Sequence, residues 1–250
     1  MSAEPKPCAI VVGVGHPSGI GAAMCRRCVA EGLPVYVAGR NQAKLSLTVA
    51  QLRAQGGQAM AVVLDATQAD EVQALFDRVR ADGCQAELVL HNVGNNAPAR
   101  FMKTSPAFFE QLWRLCFLSS LNVGQATVRH MLPAGQGTLL FTGASASLRG
   151  RPLFAAFAAG KAALRALAFG MAGEFGPQGL HVAHVIVDGV VDGDKVAGFA
   201  GGLGAAYLCS KGREGTLDPN DIAKTFWQIH RQPRGLWTRE IDLRPFKEKF

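Results

Sequence analysis

Short apolar segments of strand length alternate along the chain with longer segments in which apolar residues recur at helical spacing. The strand candidates are apolar almost throughout, which is typical of parallel strands covered by helices on both faces. The pattern therefore predicts a doubly wound α/β fold. We predict strands at Cys8–Val14, Pro34–Gly39, Ala59–Leu64, Glu87–His91, Gly137–Thr142, His181–Val187 and Leu236–Leu243, and helices at Ile20–Glu31, Gln42–Gln55, Ala69–Ala81, Pro106–Leu132 and Phe154–Phe175.

One glycine-rich segment, residues 191–218, interrupts this alternation, and it is called the flap below. We expect the flap to be mobile. Because no linker, repeat or low-complexity tract divides the sequence, we expect residues 1–250 to form a single domain. The glycines of the flap are Gly193, Gly198, Gly201, Gly202, Gly204, Gly212 and Gly215.

Composition argues against several classes of protein. The apolar runs fall short of the roughly 18 residues that a membrane span needs, and no basic region precedes the first apolar strand. We therefore expect a cytoplasmic protein without a membrane partner. The cysteines are scattered, as reduced thiols are. Cys25 and Cys28 have redox-motif spacing, but they lie inside a predicted helix with no histidine ligands nearby, so we expect neither redox chemistry nor a metal site.

The formal net charge of the chain is +7. Its arginines are spread along the sequence and do not alternate with aromatic residues, so we do not expect a nucleic-acid partner. A basic surface that attracts an anionic cofactor accounts for the charge better.

A glycine-rich turn, in VGVGHPSGIGAAM, follows the first predicted strand. Without side chains, its backbone N–H groups and the start of the next helix can approach a pyrophosphate. Glycine runs also mark plain turns, but the position at a strand–helix junction favours a dinucleotide site. The residues that we expect to contact the cofactor are Gly15, Ser18, Gly19, Ile20 and Gly21.

The end of the second predicted strand favours NADP(H) over NAD(H). Where an NAD-binding protein places an acidic side chain on the ribose 2′-hydroxyl, this chain has Gly39 followed by Arg40. A guanidinium can bind a 2′-phosphate through two hydrogen bonds, whereas a carboxylate would repel it. The alternative is that Arg40 is an ordinary surface residue.

Several motifs in one order resemble those of the short-chain dehydrogenase/reductase family, over nearly the whole chain. Residues 14–21 resemble its TGxxxGxG loop, with Val14 in place of threonine. By this resemblance the other cofactor-binding residues are Asp65 and Ala66 at the adenine, Asn92 and Gly94 in the family's NNAG motif, and Gly189 and Val191 at its PG motif.

The resemblance also implies an architecture. It predicts a Rossmann-type sheet of seven parallel strands in the order 3-2-1-4-5-6-7. The two long helices near residues 106–132 and 154–175 would pair subunits into a homodimer or homotetramer.

The catalytic tetrad of the family, Asn, Ser, Tyr and Lys, is largely replaced here. Lys161 matches the lysine. The tyrosine position holds Phe157, the serine position Ala144 and the asparagine position Cys116. The chain thus resembles an atypical branch with FxxxK in place of YxxxK.

Shifts in the alignment leave one alternative open for the serine. An offset of one to three residues brings Ser145 or Ser147 to its position. The tyrosine is not recovered in this way. In the enoyl-reductase variant of the family the tyrosine lies seven residues before the lysine, and that position here holds Phe154. The chain's two tyrosines, Tyr36 and Tyr207, lie in the second strand and in the flap.

Lys161 and Arg165 are the charged residues of the otherwise apolar stretch 153–173. The resemblance implies that Lys161 binds the nicotinamide ribose hydroxyls beside the site of hydride transfer. The alternative is a lysine whose ammonium group reaches solvent at the helix surface. Arg165 matches no family role, and we expect it at an interface or in solvent.

These observations predict an NADP(H)-binding oxidoreductase that is poor at ordinary carbonyl reduction, because loss of the acid costs roughly 10²–10⁴-fold in rate. Such an enzyme could reduce a polarised C=C bond, or use a substrate group, a water or Tyr207 as the acid. The alternative is a non-catalytic NADP(H)-binding sensor, scaffold or partner subunit. A small-molecule substrate with an apolar body and an anionic tail would suit Phe101, Phe154, Phe157, Phe199, Tyr207, Arg149 and Arg151.

Overall fold

All strands of this computed structural model, which describes residues 4–198, 203–212 and 214–247, join in one parallel sheet. The strand order is β3-β2-β1-β4-β5-β6-β7, which confirms the predicted fold class and topology. The strands are β1 (Lys6–Val12), β2 (Val35–Gly39), β3 (Ala59–Val63), β4 (Cys84–His91), β5 (Gly137–Ala144), β6 (Leu180–Val187) and β7 (Glu240–Leu243).

The helices between these strands lie close to their predicted positions. The helix after the flap, α9, is one that the sequence analysis missed. The helices are α1 (Ile20–Ala30), α2 (Gln42–Ala54), α3 (Ala69–Ala81), α4 (Pro106–Trp113), α5 (Ser119–Met131), α6 (Ala155–Phe175), α7 (Asp194–Ala197), α8 (Leu203–Lys211) and α9 (Pro219–His230).

The core has two layers, one on each face of the sheet. In β1, Ala9 and Val11 pack on the side of α1, α2 and α9, whereas Ile10 and Val12 pack on the side of α3, α5 and α6. This division follows from the period of two along a strand, so both faces of the central strands need apolar residues.

Helix α6 is the longest helix that the structure describes. The expectation that no apolar run reaches the length of a membrane span is wrong for one stretch. Ala155–Gln178 is long and apolar enough to cross a membrane, a criterion that the core helix of a water-soluble protein also meets. Here α6 packs against β5 and β6, and Leu164 and Ala168 lie in the core. Its apolar character is therefore explained on this face by packing on the sheet.

The flap contains two short helices, α7 and α8, and its ends are joined by a parallel bridge between Val191 and Leu217. Phe199, Gly201 and Gly202, which the sequence analysis named, lie outside the described residues.

Candidate functional site

The predicted site residues gather at the carboxyl edge of the sheet, where parallel α/β folds bind ligands. The glycine turn lies between β1 and α1. Gly13 has φ +96°, and a Cβ there would lie 2.6 Å from the backbone carbon of Asn92. At Gly15, by contrast, a Cβ would meet nothing within 4 Å among the described residues. Gly13 is thus required by chain packing, whereas the open space beside Gly15 leaves room for a ligand.

The start of α1 suits an anion. Its first turn carries no acidic residue, and Gly19 precedes it in an extended conformation. The turn and the helix start are tied to the sheet by the Asn92 amide, which donates to the Gly13 carbonyl oxygen at 3.2 Å. Unpaired N–H groups at a helix start and the helix dipole favour a phosphate, so these residues fit the pyrophosphate of a dinucleotide.

The flap meets this glycine turn through an acidic side chain. The Ser18 hydroxyl donates to Asp194 Oδ2 at 2.9 Å, and the same oxygen lies 2.8 Å from His16 Nδ1. The backbone N–H of Asp194 in turn donates to Ser18 Oγ at 2.9 Å. An anionic ligand on the turn would therefore share its surroundings with a carboxylate, an arrangement that the sequence analysis missed.

Arg40 and Asp65 lie at the carboxyl ends of β2 and β3, where the sequence predicts the adenosine part of a cofactor. Arg40 is exposed, and among the described residues no carboxylate lies within salt-bridge distance of it. Asp65 follows β3, and its carboxylate accepts from the Thr67 N–H at 2.9 Å. Ala66 is buried, and its carbonyl accepts from the Asn122 amide at 3.0 Å. Asp65 is therefore held as a turn cap at the place predicted for adenine.

Lys161 is buried, so the alternative of a lysine that reaches solvent is wrong. Its Nζ donates to the Thr142 carbonyl oxygen at 2.8 Å and to the Val93 carbonyl oxygen at 3.4 Å. Burial lowers the pKa of Lys161, and the nearby Cys116 opposes that shift. The two carbonyls fix the ammonium group between the ends of β4 and β5.

Cys116 and Gly94 lie beside this ammonium group. A Cβ on Gly94 would be 3.2 Å from Lys161 Nζ and 3.9 Å from Cys116 Sγ. Cys116 sits in a π-helical turn, Arg114–Leu118, that joins α4 to α5. Such turns frequently occur at functional sites. The structure thus brings the predicted Asn position next to Lys161, with a thiol in place of the amide.

The substrate side lacks a hydroxyl at both predicted positions. Phe157 is half-buried one turn before Lys161, and Ala144 ends β5. Ser147 lies in the turn after β5 and hydrogen-bonds back to Ala144. Tyr36 donates to Asp82 at 2.9 Å at the opposite edge of the sheet, while Tyr207 is exposed on α8.

Two of the arginines form ion pairs that the sequence did not predict. Arg149, considered for an anionic tail, pairs with the buried Asp188 at 3.2 Å. Arg165 donates to Glu240 through two nitrogens, at 2.6 and 2.8 Å, while its side chain remains partly exposed. Both partners are distant in the sequence, which gave no signal for either pair.

Gly189 and Val191 follow β6 at the same edge. A Cβ on Gly189 would lie 2.7 Å from Pro245 Cδ, so this glycine is needed for close packing. Val191 forms the bridge that closes the flap. Their predicted contacts with a cofactor remain predictions.

Known proteins resemble this chain over nearly its full length. The family model for short chain dehydrogenase matches residues 8–207. Gluconate 5-dehydrogenase of Gluconobacter oxydans (strain 621H) is 26% identical over 229 residues, which cover 92% of this chain and 82% of that protein. The crystal structure of a short-chain dehydrogenase from Rhodopseudomonas palustris is 34% identical, with a TM-score of 0.81 and coverage of 96% and 99%.

A further solved structure is a gluconate 5-dehydrogenase from Burkholderia cenocepacia J2315 in complex with NADP and tartrate. It is 21% identical, with a TM-score of 0.82 and coverage of 97% of this chain and 95% of that one. At this identity the likeness shows the shared fold alone.

Proposed function

This chain belongs to the short-chain dehydrogenase family, a family of oxidoreductases, and we propose that it binds NADP(H) and works with an altered catalytic site. The observation that carries the proposal is the position of Lys161. Its ammonium group is buried between two carbonyls, beneath Gly94 and at the same sheet edge as the glycine turn. A buried lysine without a carboxylate partner among the described residues is costly unless a ligand uses it.

The residues fit the parts of a dinucleotide in order along the edge. The turn at Gly15 and Gly19 would hold the pyrophosphate, because a Cβ on Gly15 meets nothing within 4 Å among the described residues and helix α1 begins directly after Gly19. Arg40 would bind a 2′-phosphate. Gly94 and Lys161 would take the nicotinamide ribose. The NADP in the gluconate 5-dehydrogenase structure supports this choice.

When bound, the cofactor supplies or accepts a hydride. This chain's own residues must then bind the substrate and move its proton. Lys161 donates hydrogen bonds and holds positive charge near the reacting oxygen, which favours an anion there. Phe157 and Ala144 exclude water and shape the pocket, but they have no proton to give. The proposed activity therefore does not include ketone reduction by the family's tetrad.

The second candidate is a non-catalytic NADP(H)-binding protein, which the loss of three tetrad side chains favours. The two are separated by one experiment. NADPH and NADH are titrated by fluorescence, and deuterium-labelled NADPH is then incubated with ketones and enoyl thioesters. Label in a product supports the oxidoreductase. Saturable NADP(H) binding without hydride transfer to or from any substrate supports the non-catalytic binding protein. If neither cofactor binds, both candidate functions are refuted.

We also propose a homodimer or homotetramer. On α6, small residues lie exposed at helical spacing, and Phe169 is 38% exposed beside them. A contiguous apolar face of this kind is a typical interface. Light scattering on the purified chain tests the proposal, since a monomer at micromolar concentration would contradict it. The exposed small residues are Ala155, Ala162, Ala166, Gly170 and Gly173.

A further inference from the structure

Two buried histidines flank Lys161, and neither belongs to the tetrad. His91 ends β4 and His184 lies in β6. Both are fully buried, and the charge of Lys161 contributes to lowering the pKa of each, after burial itself. Each lies within hydrogen-bond distance of a serine, which makes the pair a natural comparison.

His184 is the centre of a chain of polar groups. Its Nδ1 lies 2.9 Å from Glu240 Oε2, and Glu240 is held by two hydrogen bonds from Arg165. Its Nε2 lies 3.5 Å from Ser147 Oγ. The glutamate side chain is 21% exposed, whereas His184 is fully buried. The chain therefore runs from the protein surface to Ser147 at the end of β5.

The tautomer of His184 follows from these contacts. Glu240 is a carboxylate, because the Arg165 hydrogen bonds and then His184 lower its pKa against the effect of burial. Nδ1 must donate to it, so Nε2 presents its lone pair to the Ser147 hydroxyl. Ser147 can direct its single proton to Ala144 O or to His184 Nε2. This is the order of acid, imidazole and hydroxyl that activates a hydroxyl in other enzymes.

The His91 pair has the opposite arrangement. Ser119 donates to the Leu115 carbonyl at 2.6 Å, so its oxygen must accept from His91 Nε2, 2.8 Å away. His91 Nδ1 has no hydrogen-bond partner among the described residues. With no carboxylate behind it and no free lone pair toward the serine, His91 cannot take a proton from Ser119. It is a matched internal control for His184.

We propose that Ser147, His184 and Glu240 form a proton relay that replaces the missing tyrosine as the proton acceptor for an alcohol substrate. The proposal rests on the proposed function. Ser147 Oγ hydrogen-bonds the backbone of Ala144, the residue that stands at the family's serine position. The alignment comes from the contacts, in which Nδ1 faces Glu240 and Nε2 faces Ser147. Burial, opposed by the Glu240 carboxylate, lowers the pKa of His184 to about 4, so its imidazole is neutral near pH 7 and Nε2 carries a lone pair.

The proton step balances along this chain. As the substrate C–H bond gives its hydride to the oxidised nicotinamide cofactor, the substrate O–H proton passes to Ser147 Oγ. The original Ser147 proton passes to His184 Nε2, and the alcohol becomes a carbonyl. The imidazolium is stabilised by Glu240. After the carbonyl product has left, the Nε2 proton returns to Ser147 Oγ as the Ser147 proton passes to water, which restores the tautomer protonated at Nδ1. A Ser–His distance of 3.5 Å is long for a hydrogen bond, as catalytic contacts without substrate often are.

The first test needs no cofactor and no substrate. Nitrogen-15 NMR of the histidines is expected to find His184 protonated at Nδ1 and His91 at Nε2. Ser147→Ala should displace the Nε2 resonance of His184, whereas Ser119→Ala should leave it unchanged. Glu240→Gln should lower the pKa of His184 further, because the carboxylate that favours imidazolium is lost. A proton on Nε2 of His184, or no response to Ser147→Ala, would overturn the relay.

The second test follows kcat/KM for oxidation of secondary alcohols against pH, with cofactor affinity measured in parallel. The parent should show a plateau at neutral pH. In His184→Asn the value should fall about 10²-fold at pH 7 and then rise tenfold per pH unit with hydroxide, which replaces the base. His91→Asn should keep the plateau. If His184→Asn does not fold, Ser147→Ala serves in its place.

The outcomes separate the relay from the proposed function. A plateau retained in His184→Asn or Ser147→Ala, with cofactor still bound, rejects the relay and leaves the proposed function standing. Cofactor binding without oxidation of any alcohol also rejects the relay. Absence of cofactor binding rejects the proposed function, while the NMR experiment still reports the tautomer of His184.

Discussion

The nucleotide half of the sheet edge and its substrate half have different relations to the family pattern. The nucleotide half, at the ends of β1 to β3, depends on backbone geometry and glycines, and it keeps them at Gly13 and Gly15. The substrate half, at the ends of β4 to β6, depends on a few side-chain hydroxyls and an amide. There Phe157, Ala144 and Cys116 keep a packed shape without that chemistry. Cofactor binding and catalysis can therefore separate in one chain.

Energetics make this separation plausible. An acid in the transition state contributes roughly 10²–10⁴-fold in rate. Its loss costs about 3–5 kcal/mol of barrier and need not change the stability of the fold. A Cβ on Gly13 would instead act directly on folding. A single substitution can therefore remove catalysis in the substrate half without loss of stability, whereas at Gly13 in the nucleotide half it would destabilise the fold.

The largest expected effect compares the two glycines of the turn. Gly13→Ala places a Cβ 2.6 Å from the Asn92 backbone at φ +96°, so the free energy of unfolding should fall on the order of 3 kcal/mol. Gly15→Asp should change stability little, because a Cβ there meets nothing within 4 Å, yet weaken NADPH binding at least about 100-fold by charge repulsion. Thermal unfolding and a binding titration measure the two.

Gly15→Asn is the uncharged control for the second variant. It should retain more affinity than Gly15→Asp, with equal stability. If Gly15→Asp binds NADPH as the parent does, the pyrophosphate does not lie on this turn.

The next effect restores chemistry to the substrate half. Phe157→Tyr places a hydroxyl near Lys161, whose charge favours a phenolate and lowers the tyrosine pKa. Alone it should give little gain, because Ala144 leaves the family's serine position without a hydroxyl. Combined with Ala144→Ser, it should give measurable reduction of a reactive diketone. The rate should exceed that of the parent by up to roughly 10²-fold, the lower end of what acid catalysis contributes. NADPH oxidation is the assay, and Cys116→Asn should add to the gain.

Bound NADPH must be shown for each of these variants. A double variant that binds the cofactor but reacts like the parent would mean that the pocket is blocked. Strong diketone reduction by the parent would mean that another proton donor, such as the Ser147–His184–Glu240 relay acting in reverse, replaces the missing tyrosine.

The sequence predicted the sheet well because each strand is a local apolar run. The predicted strand ends coincide with the observed ones or differ from them by one to four residues, and the largest difference is at the start of β7. The missed helix, α9, had a readable signal. Asp218 caps its first turn, Pro219 follows, and Ile222, Phe226 and Ile229 recur at helical spacing. This pattern directly follows the glycine-rich flap, which interrupts the alternation of strands and helices.

The partners of the site's side chains could not be predicted from the sequence. His184 and Glu240 are 56 positions apart, and Ser18 and Asp194 are 176 apart. Only the register of β6 against β7 brings the first pair together. The motifs located Lys161, but nothing local showed its two carbonyl partners or the π-helical turn beside it.

A smaller effect tests the choice of cofactor in the nucleotide half. Arg40→Ala removes a charge-assisted contact with a 2′-phosphate, so NADPH affinity should fall about 10- to 150-fold and NADH affinity much less. Arg231→Ala is the control, because Arg231 is exposed after α9 and away from the carboxyl edge. Equal binding of NADPH and NADH by the parent would contradict the assignment.

The smallest effect concerns Asp194, where the flap touches the nucleotide half. Its carboxylate lies on Ser18 and His16 at the turn proposed for the pyrophosphate, so it repels that group and competes for the Ser18 hydroxyl. Asp194→Asn should therefore tighten NADPH binding about 2- to 5-fold at low salt, the size typical of exposed charges, and less at high salt. Asp192→Asn, exposed in the same flap, should have no comparable effect. Weaker binding by Asp194→Asn would mean that the carboxylate instead helps to hold the turn in its binding shape.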